Sequence, residues 1–135
     1  MMKVAIIGSR SYTNTKKIKD FVFKLKEKFN DELEIVSGGQ KEGSDGYAKK
    51  YALEFDVKYS EFPPQHYSHN MHCDRPNYEY GKKYYVSNYF KRNKQIAEYS
   101  DRIVAFVSNP NDITSGTLST LQYAEKMNKK SIIID

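Results

Sequence analysis

Three turns in the sequence combine glycine with groups that suit an anion. They are Gly8-Ser9-Arg10, Ser37-Gly38-Gly39 followed by Gly43-Ser44-Asp45, and Ser115-Gly116-Thr117. Glycine lets a backbone approach a ligand closely, and the amides at a helix start point at whatever lies in front of them. Arg10 directly follows the first turn, and Arg92-Asn93 lies in a helical stretch that leads back toward the core. A guanidinium suits bidentate recognition of phosphate or carboxylate. Asp45 follows a glycine turn and Asp101 precedes the fourth strand-like run, and neither has a partner at a spacing that signals an acid–base pair. The motifs G-x-G-x-x-G after the first strand and G-x-x-x-x-G-K-[ST] are both absent, which excludes a standard dinucleotide site and a P-loop NTPase.

Two further groups sit between residues 63 and 92. His66-x-x-His69-x-x-His72-Cys73-Asp74 offers metal-ligand types in a short span, but there is no second Cys/His cluster and no H-E-x-x-H. A mobile, aromatic-rich lid is the expectation there, with no metal and no cofactor. Tyr78, Tyr80, Tyr84, Tyr85 and Tyr89 interleave with Lys82, Lys83, Lys91 and Arg92, a pattern able to stack on a base or on a single strand.

The elements that position these groups follow from hydrophobic period. Residues 3–7, 33–37, 57–62 and 102–107 read as strands, and Ile132-Ile133-Ile134 as a last, short buried one. Ile18, Phe21, Val22, Leu25 and Phe29 mark a helix over 15–29, capped by Thr13 or Thr15. A second helix runs from a Ser44 or Asp45 cap to about Phe55, with Tyr47, Ala48, Tyr51, Ala52 and Phe55 inward. A third runs from Tyr85 to Tyr99. A fourth runs from Ser115 to Asn128, with Leu118, Leu121, Tyr123 and Ala124 mostly inward. Alternation of strand and helix predicts an α/β fold: a single Rossmann-like domain over 1–135, about five parallel strands with helices on both faces. In such a sheet all strand C-termini meet one edge, so the glycine turns converge.

Composition bounds the partners. With 135 residues, a net charge of +5 and a pI near 9.1, one basic domain is expected, favouring anionic ligands such as nucleotides or nucleic acid. No apolar stretch is long enough to span a bilayer, the start lacks a signal-peptide pattern, and one cysteine excludes an internal disulfide framework. A cytoplasmic protein without membrane partners is the expectation, with a homo-oligomer left open.

The ordered set Gly8-Ser9-Arg10, Ser37-Gly38-Gly39-x3-Gly43-x-Asp45, Ala48-x3-Ala52, Arg92-Asn93-x2-Ile96, Asp101-x2-Val104-Ala105-Phe106 and Ser115-Gly116-Thr117 resembles the YspA-like group of the SLOG superfamily. These are Rossmann-like relatives of the LOG proteins and of the DNA-processing protein of transformation. The resemblance spans roughly residues 3–134. It implies a pocket for nucleotides or nucleotide-derived ligands at the strand C-terminal edge, formed by Gly8, Ser9, Arg10, Ser37, Gly38, Gly39, Asp45, Arg92, Asn93, Ser115, Gly116 and Thr117. LOG-type phosphoribohydrolases carry G-G-x-G-T-x-x-E, whose glutamate serves catalysis. Here Thr120 stands in the glutamate's place. A neutral hydroxyl cannot do a carboxylate's acid–base work. Binding, as a sensor or as a stand-alone sequestering pocket with no fused effector domain, is therefore the leading expectation. A nucleotide N-glycosidase or deoxyribosyltransferase using Asp45 and a single-stranded nucleic-acid binder are the alternatives.

Overall fold

The structure is a computed structural model and describes residues 1–39, 43–62 and 86–135, with side chains in the last stretch from residue 90 onward. Five parallel strands form one sheet: β1 (Met2–Gly8), β2 (Leu33–Ser37), β3 (Lys58–Glu61), β4 (Arg102–Phe106) and β5 (Lys130–Ile134). Their order is β3-β2-β1-β4-β5. Four helices connect them: α1 (Thr15–Phe29), α2 (Gly43–Glu54), α3 (Val86–Tyr99) and α4 (Ser115–Lys126). The expected α/β, Rossmann-like architecture is the one observed.

The apolar runs of β1 and β4 are near-continuous, and β2 is interrupted by Glu34, in strands that are all covered on both faces. The pleat sends alternate residues to opposite sides. Val4, Ile6, Ile35, Val104 and Phe106 face the layer of α1 and α2, where they meet Ile18, Val22, Ala48 and Ala52. Ala5, Ile7, Val36, Ile103 and Ala105 face α3 and α4, against Ile96 and Ala124. Phe106 anchors the first layer, edge-on to both Tyr12 and Phe21 at ring separations of 5.6 Å. The strand order reverses at β1, which pairs with β2 on one side and with β4 on the other. The chain therefore leaves a crevice above β1 and β4, where connections depart to opposite faces.

Several local expectations are corrected. The cap of α1 is Asn14, whose Oδ1 accepts from the Lys17 amide at 3.3 Å, not Thr13 or Thr15. Helix α2 begins at Gly43, so Ser44 and Asp45 lie in its first turn. Ser44 donates instead to the Phe106 carbonyl at 2.9 Å, tying α2 to β4. Helix α4 buries Thr117, Ser119, Thr120 and Ala124 and leaves Leu118 exposed, so small hydroxyl side chains form its inner face. The last strand is an edge strand: Ile132 and Ile133 are 52% and 47% exposed rather than buried. No helix among the described residues is long and apolar enough to cross a membrane.

Candidate functional site

A cavity of about 630 Å³ opens above the ends of β1 and β4. That volume suits a small organic ligand. The end of β1 and the loop after it supply Gly8, Ser9 and Arg10 to its lining; the turn after β2 supplies Gly38; α2 supplies Asp45. Helix α3 brings Arg92 and Asn93, and the start of α4 brings Ser115, Gly116 and Thr117. Of the twelve pocket residues that the resemblance implied, all line this one cavity except Ser37 and Gly39. Those two work just behind it. The Gly39 amide donates to Ser37 Oγ at 3.2 Å, Ser37 Oγ and the Tyr59 hydroxyl lie 2.5 Å apart, and Tyr59 donates to Glu61 Oε1 at 3.0 Å. Burial, with the nearby Glu61 and Asp45 charges, raises the Tyr59 hydroxyl above its ordinary range and keeps it neutral.

The wall is held by a linked set of polar contacts. Arg92 is buried. Its Nη1 donates to the Gly38 carbonyl at 2.8 Å, and its Nε donates to Asn93 Oδ1 at 2.9 Å. A Cβ added at Gly38 would stand 2.4 Å from Arg92 Nη1 and 3.0 Å from Asp45 Oδ2. Guanidinium and carboxylate therefore flank the same backbone point, which only glycine leaves clear. Asn93 turns its amide the other way, with Nδ2 donating to the Gly116 carbonyl at 3.2 Å. Thr120 Oγ1 donates to that same carbonyl, also at 3.2 Å. Two donors thus fix the Gly116 peptide.

The start of α4 is capped by Thr114, whose Oγ1 accepts from the Thr117 amide at 3.5 Å, while the Leu118 amide donates to the Thr114 carbonyl at 2.9 Å. The amides of Ser115 and Gly116 are left without a protein acceptor among the described residues. Thr117 thus contributes a capping contact, whereas Ser115 and Gly116 present open amides. Among the described residues, a Cβ built on Gly116 would meet nothing beyond its own stretch of helix within 4 Å. Gly8 is the opposite case, for its Cβ would lie 1.8 Å from the Phe106 carbonyl at a φ of +143°.

Sequence reasoning missed part of the lining. Phe90, Ser108, Asn109 and Asp112 also face the cavity. Asn109 was legible as part of an Asn-Pro turn, and its Oδ1 accepts from the Asn111 amide at 3.0 Å. Ser108 is braced by Ser9, whose Oγ accepts from its amide at 3.2 Å, and by Ser11 Oγ at 3.0 Å. Asp101 is not at the site. Its Oδ2 accepts from the Lys3 amide at 2.8 Å, beside the start of β1 and at the opposite edge of the sheet. The nominated ligands His66, His69, His72, Cys73 and Asp74, the rings Tyr78, Tyr80, Tyr84 and Tyr85, and the side chain of Tyr89 lie outside the described residues. Among the described residues no group of three His, Cys, Asp or Glu side chains is placed to hold a metal.

Comparison with known proteins adds the following. Residues 2–69 match the family described as the YspA, cpYpsA-related SLOG family. DNA processing protein A of Helicobacter pylori, whose structure is described for its single-stranded DNA binding mode, is similar at a TM-score of 0.71 and 24% identity. That alignment covers 98% of this chain and 64% of that one, so this chain spans less than two thirds of that protein's length. The molybdenum cofactor binding protein of Rippkaea orientalis gives 0.69 at 20% identity, covering 98% of this chain and 75% of that one. The molybdenum cofactor carrier protein of Chlamydomonas reinhardtii gives 0.64 at 16%, with the same coverage. At these identities the likenesses show a shared fold. No curated protein matches the sequence.

Proposed function

The chain belongs to the YspA, cpYpsA-related SLOG family, and on that premise we propose that it binds a nucleotide or nucleotide-derived small molecule in the cavity above β1 and β4, as a sensor or sequestering protein. The observation that carries this reading is the start of α4. Ser115 and Gly116 offer amides without protein acceptors, and Gly116 has open space where a Cβ would be. Its carbonyl is locked by Asn93 and Thr120. A phosphate at that point meets the positive end of the helix dipole. Arg10 is exposed at the cavity and contributes long-range attraction, and the net charge of +5 acts in the same direction. Arg92 acts from the wall, its fork partly occupied by backbone and Asn93. The fold neighbours described as a molybdenum cofactor binding protein and a molybdenum cofactor carrier protein are consistent with a small-molecule ligand in this architecture.

Thr120 supports binding over hydrolysis. Its hydroxyl is neutral and donates to the Gly116 carbonyl. One observation favours a second reading: Asp45 is buried, lines the cavity and sits beside Arg92 at Gly38, a position from which a carboxylate could serve a nucleotide N-glycosidase. Native mass spectrometry of the purified protein tests the first reading. A co-purifying molecule of nucleotide type, recovered unmodified after denaturation, is expected. Incubation with a nucleotide panel tests the second. Rapid base release that vanishes in Asp45→Asn would replace the binding reading with the glycosidase.

A further inference from the structure

We propose that Phe90 is the face on which the ligand's heterocycle stacks, so that the site selects phosphate esters carrying a planar aromatic base over the bare sugar phosphate. The proposal rests on the nucleotide-type reading above and names what that site discriminates. Phe90 lines the cavity and is 37% exposed, although a phenyl ring gains from leaving water. Among the described residues it is the aromatic member of the lining, and no ring pair of the core includes it.

Its place on α3 sets its relation to the proposed phosphate point. Phe90 and Asn93 are three residues apart, so they share a helix face with an axial offset of about 4.5 Å. Asn93 is the residue that holds the Gly116 carbonyl at 3.2 Å. Helix α3 enters the β4 strand from above, so its N-terminal end lies at the C-terminal edge of the sheet. Phe90 therefore stands about one turn farther out than Asn93, overhanging the cavity, while Ile96 forms part of its floor. The Ser115 and Gly116 amides and Phe90 thus line the same cavity from two different helices, so one ligand can reach both. Stacking is tolerant of which base is present, because every base has a π-face. Selection among bases then falls to the polar groups nearby, not to Phe90.

The test is calorimetric titration of the wild-type protein, Phe90→Leu and Phe90→Trp with purine and pyrimidine nucleoside monophosphates and with ribose 5-phosphate. Phe90→Leu should weaken the nucleotides about five-fold or more and leave ribose 5-phosphate unchanged. Phe90→Trp should keep nucleotide affinity. The sequence has no tryptophan, so the emission of this variant reports position 90 alone and should be quenched by nucleotide but not by ribose 5-phosphate. Equal losses for both ligand types in Phe90→Leu, no loss for either, or an unquenched signal at saturating nucleotide would overturn the stacking role while leaving the site's reading intact. Failure of the wild-type protein to bind any of these probes would overturn both.

Discussion

Gly8 and Gly116 both sit at the junction between a strand and a helix, and they are glycine for opposite reasons. At Gly8 the neighbouring strand leaves no room: a Cβ would lie 1.8 Å from the Phe106 carbonyl, and the φ of +143° is one that side-chain-bearing residues rarely adopt. At Gly116 a Cβ would meet nothing beyond its own stretch of helix within 4 Å among the described residues. Gly8→Ala is therefore expected to cost more than about 2 kcal/mol of stability by overpacking and backbone strain. Gly116→Ala should stay within about 1 kcal/mol of the parent, since alanine suits a helix at least as well as glycine. Urea unfolding of the two variants checks this contrast, and a large loss in Gly116→Ala would show a hidden packing role. Arg92 carries a different expectation. Its fork donates to the Gly38 carbonyl and to Asn93 Oδ1 at once, a planar geometry lysine cannot copy. Arg92→Lys should lose about 1–3 kcal/mol of stability, read by thermal or urea unfolding, although the charge is kept. The pairing of Arg92 with the Gly38 turn was legible only as a shared preference for anions. That the guanidinium would be spent largely on the wall was not, because backbone acceptors leave no mark in the sequence.

At the scale of the elements, the strands and helices were legible where burial and period coincide. The α1 pattern gave its bounds because its apolar residues recur at helical spacing, and Ile18 and Val22 are buried in the core. Helix α4 misled because its inner face is built from Thr117, Ser119, Thr120 and Ala124, small groups that pack closely but carry little hydrophobic signal. The isoleucines of β5 misled in the other direction, since an apolar run looks the same on an edge strand as in the middle of a sheet. Phe90 was hidden among lysines and tyrosines and became meaningful only when α3 was placed over the cavity. Glu34 is an element-scale surprise with a readable origin: a carboxylate inside a strand covered on both faces must find partners. Fully buried in β2, it accepts from the Tyr99 hydroxyl and from Ser60 Oγ at 3.1 Å, and pairs with Lys58 Nζ at 3.0 Å. Burial pushes its pKa up, but the hydrogen bonds from Tyr99, Lys58 and Ser60 outweigh that and hold it below the ordinary value of 4.5. A depressed folded-state pKa contributes stability that is present above the unfolded value and is lost as pH falls through the folded one. Glu34→Gln should therefore lower stability at pH 7 by about 2 kcal/mol, with the difference from the parent shrinking below pH 4.5. Urea midpoints measured across that range check it, and a constant difference at all pH values would remove Glu34 from the acid response.

For the molecule as a whole, the sheet order β3-β2-β1-β4-β5 explains why residues far apart in sequence share one cavity. The reversal at β1 sends α1 and α2 to one face and α3 and α4 to the other, and the loops after β1 and β4 face each other across the gap. Convergence of the glycine turns was legible, since it follows from parallel strands alone. The cavity's contents were legible only as types of group, because the direction of each side chain depends on packing that periodicity does not encode. Binding of a nucleotide-type anion in this gap, at the start of α4, is decided by a single titration. Nucleoside monophosphates are titrated by calorimetry into the wild-type protein and into Gly116→Leu, which adds a bulky side chain at a lining position of the cavity, next to the Ser115 amide. Saturable one-site binding to the wild-type protein is expected, with a loss of at least about ten-fold in Gly116→Leu and the fold retained. Equal affinity in the two proteins, or no binding to either, would contradict it.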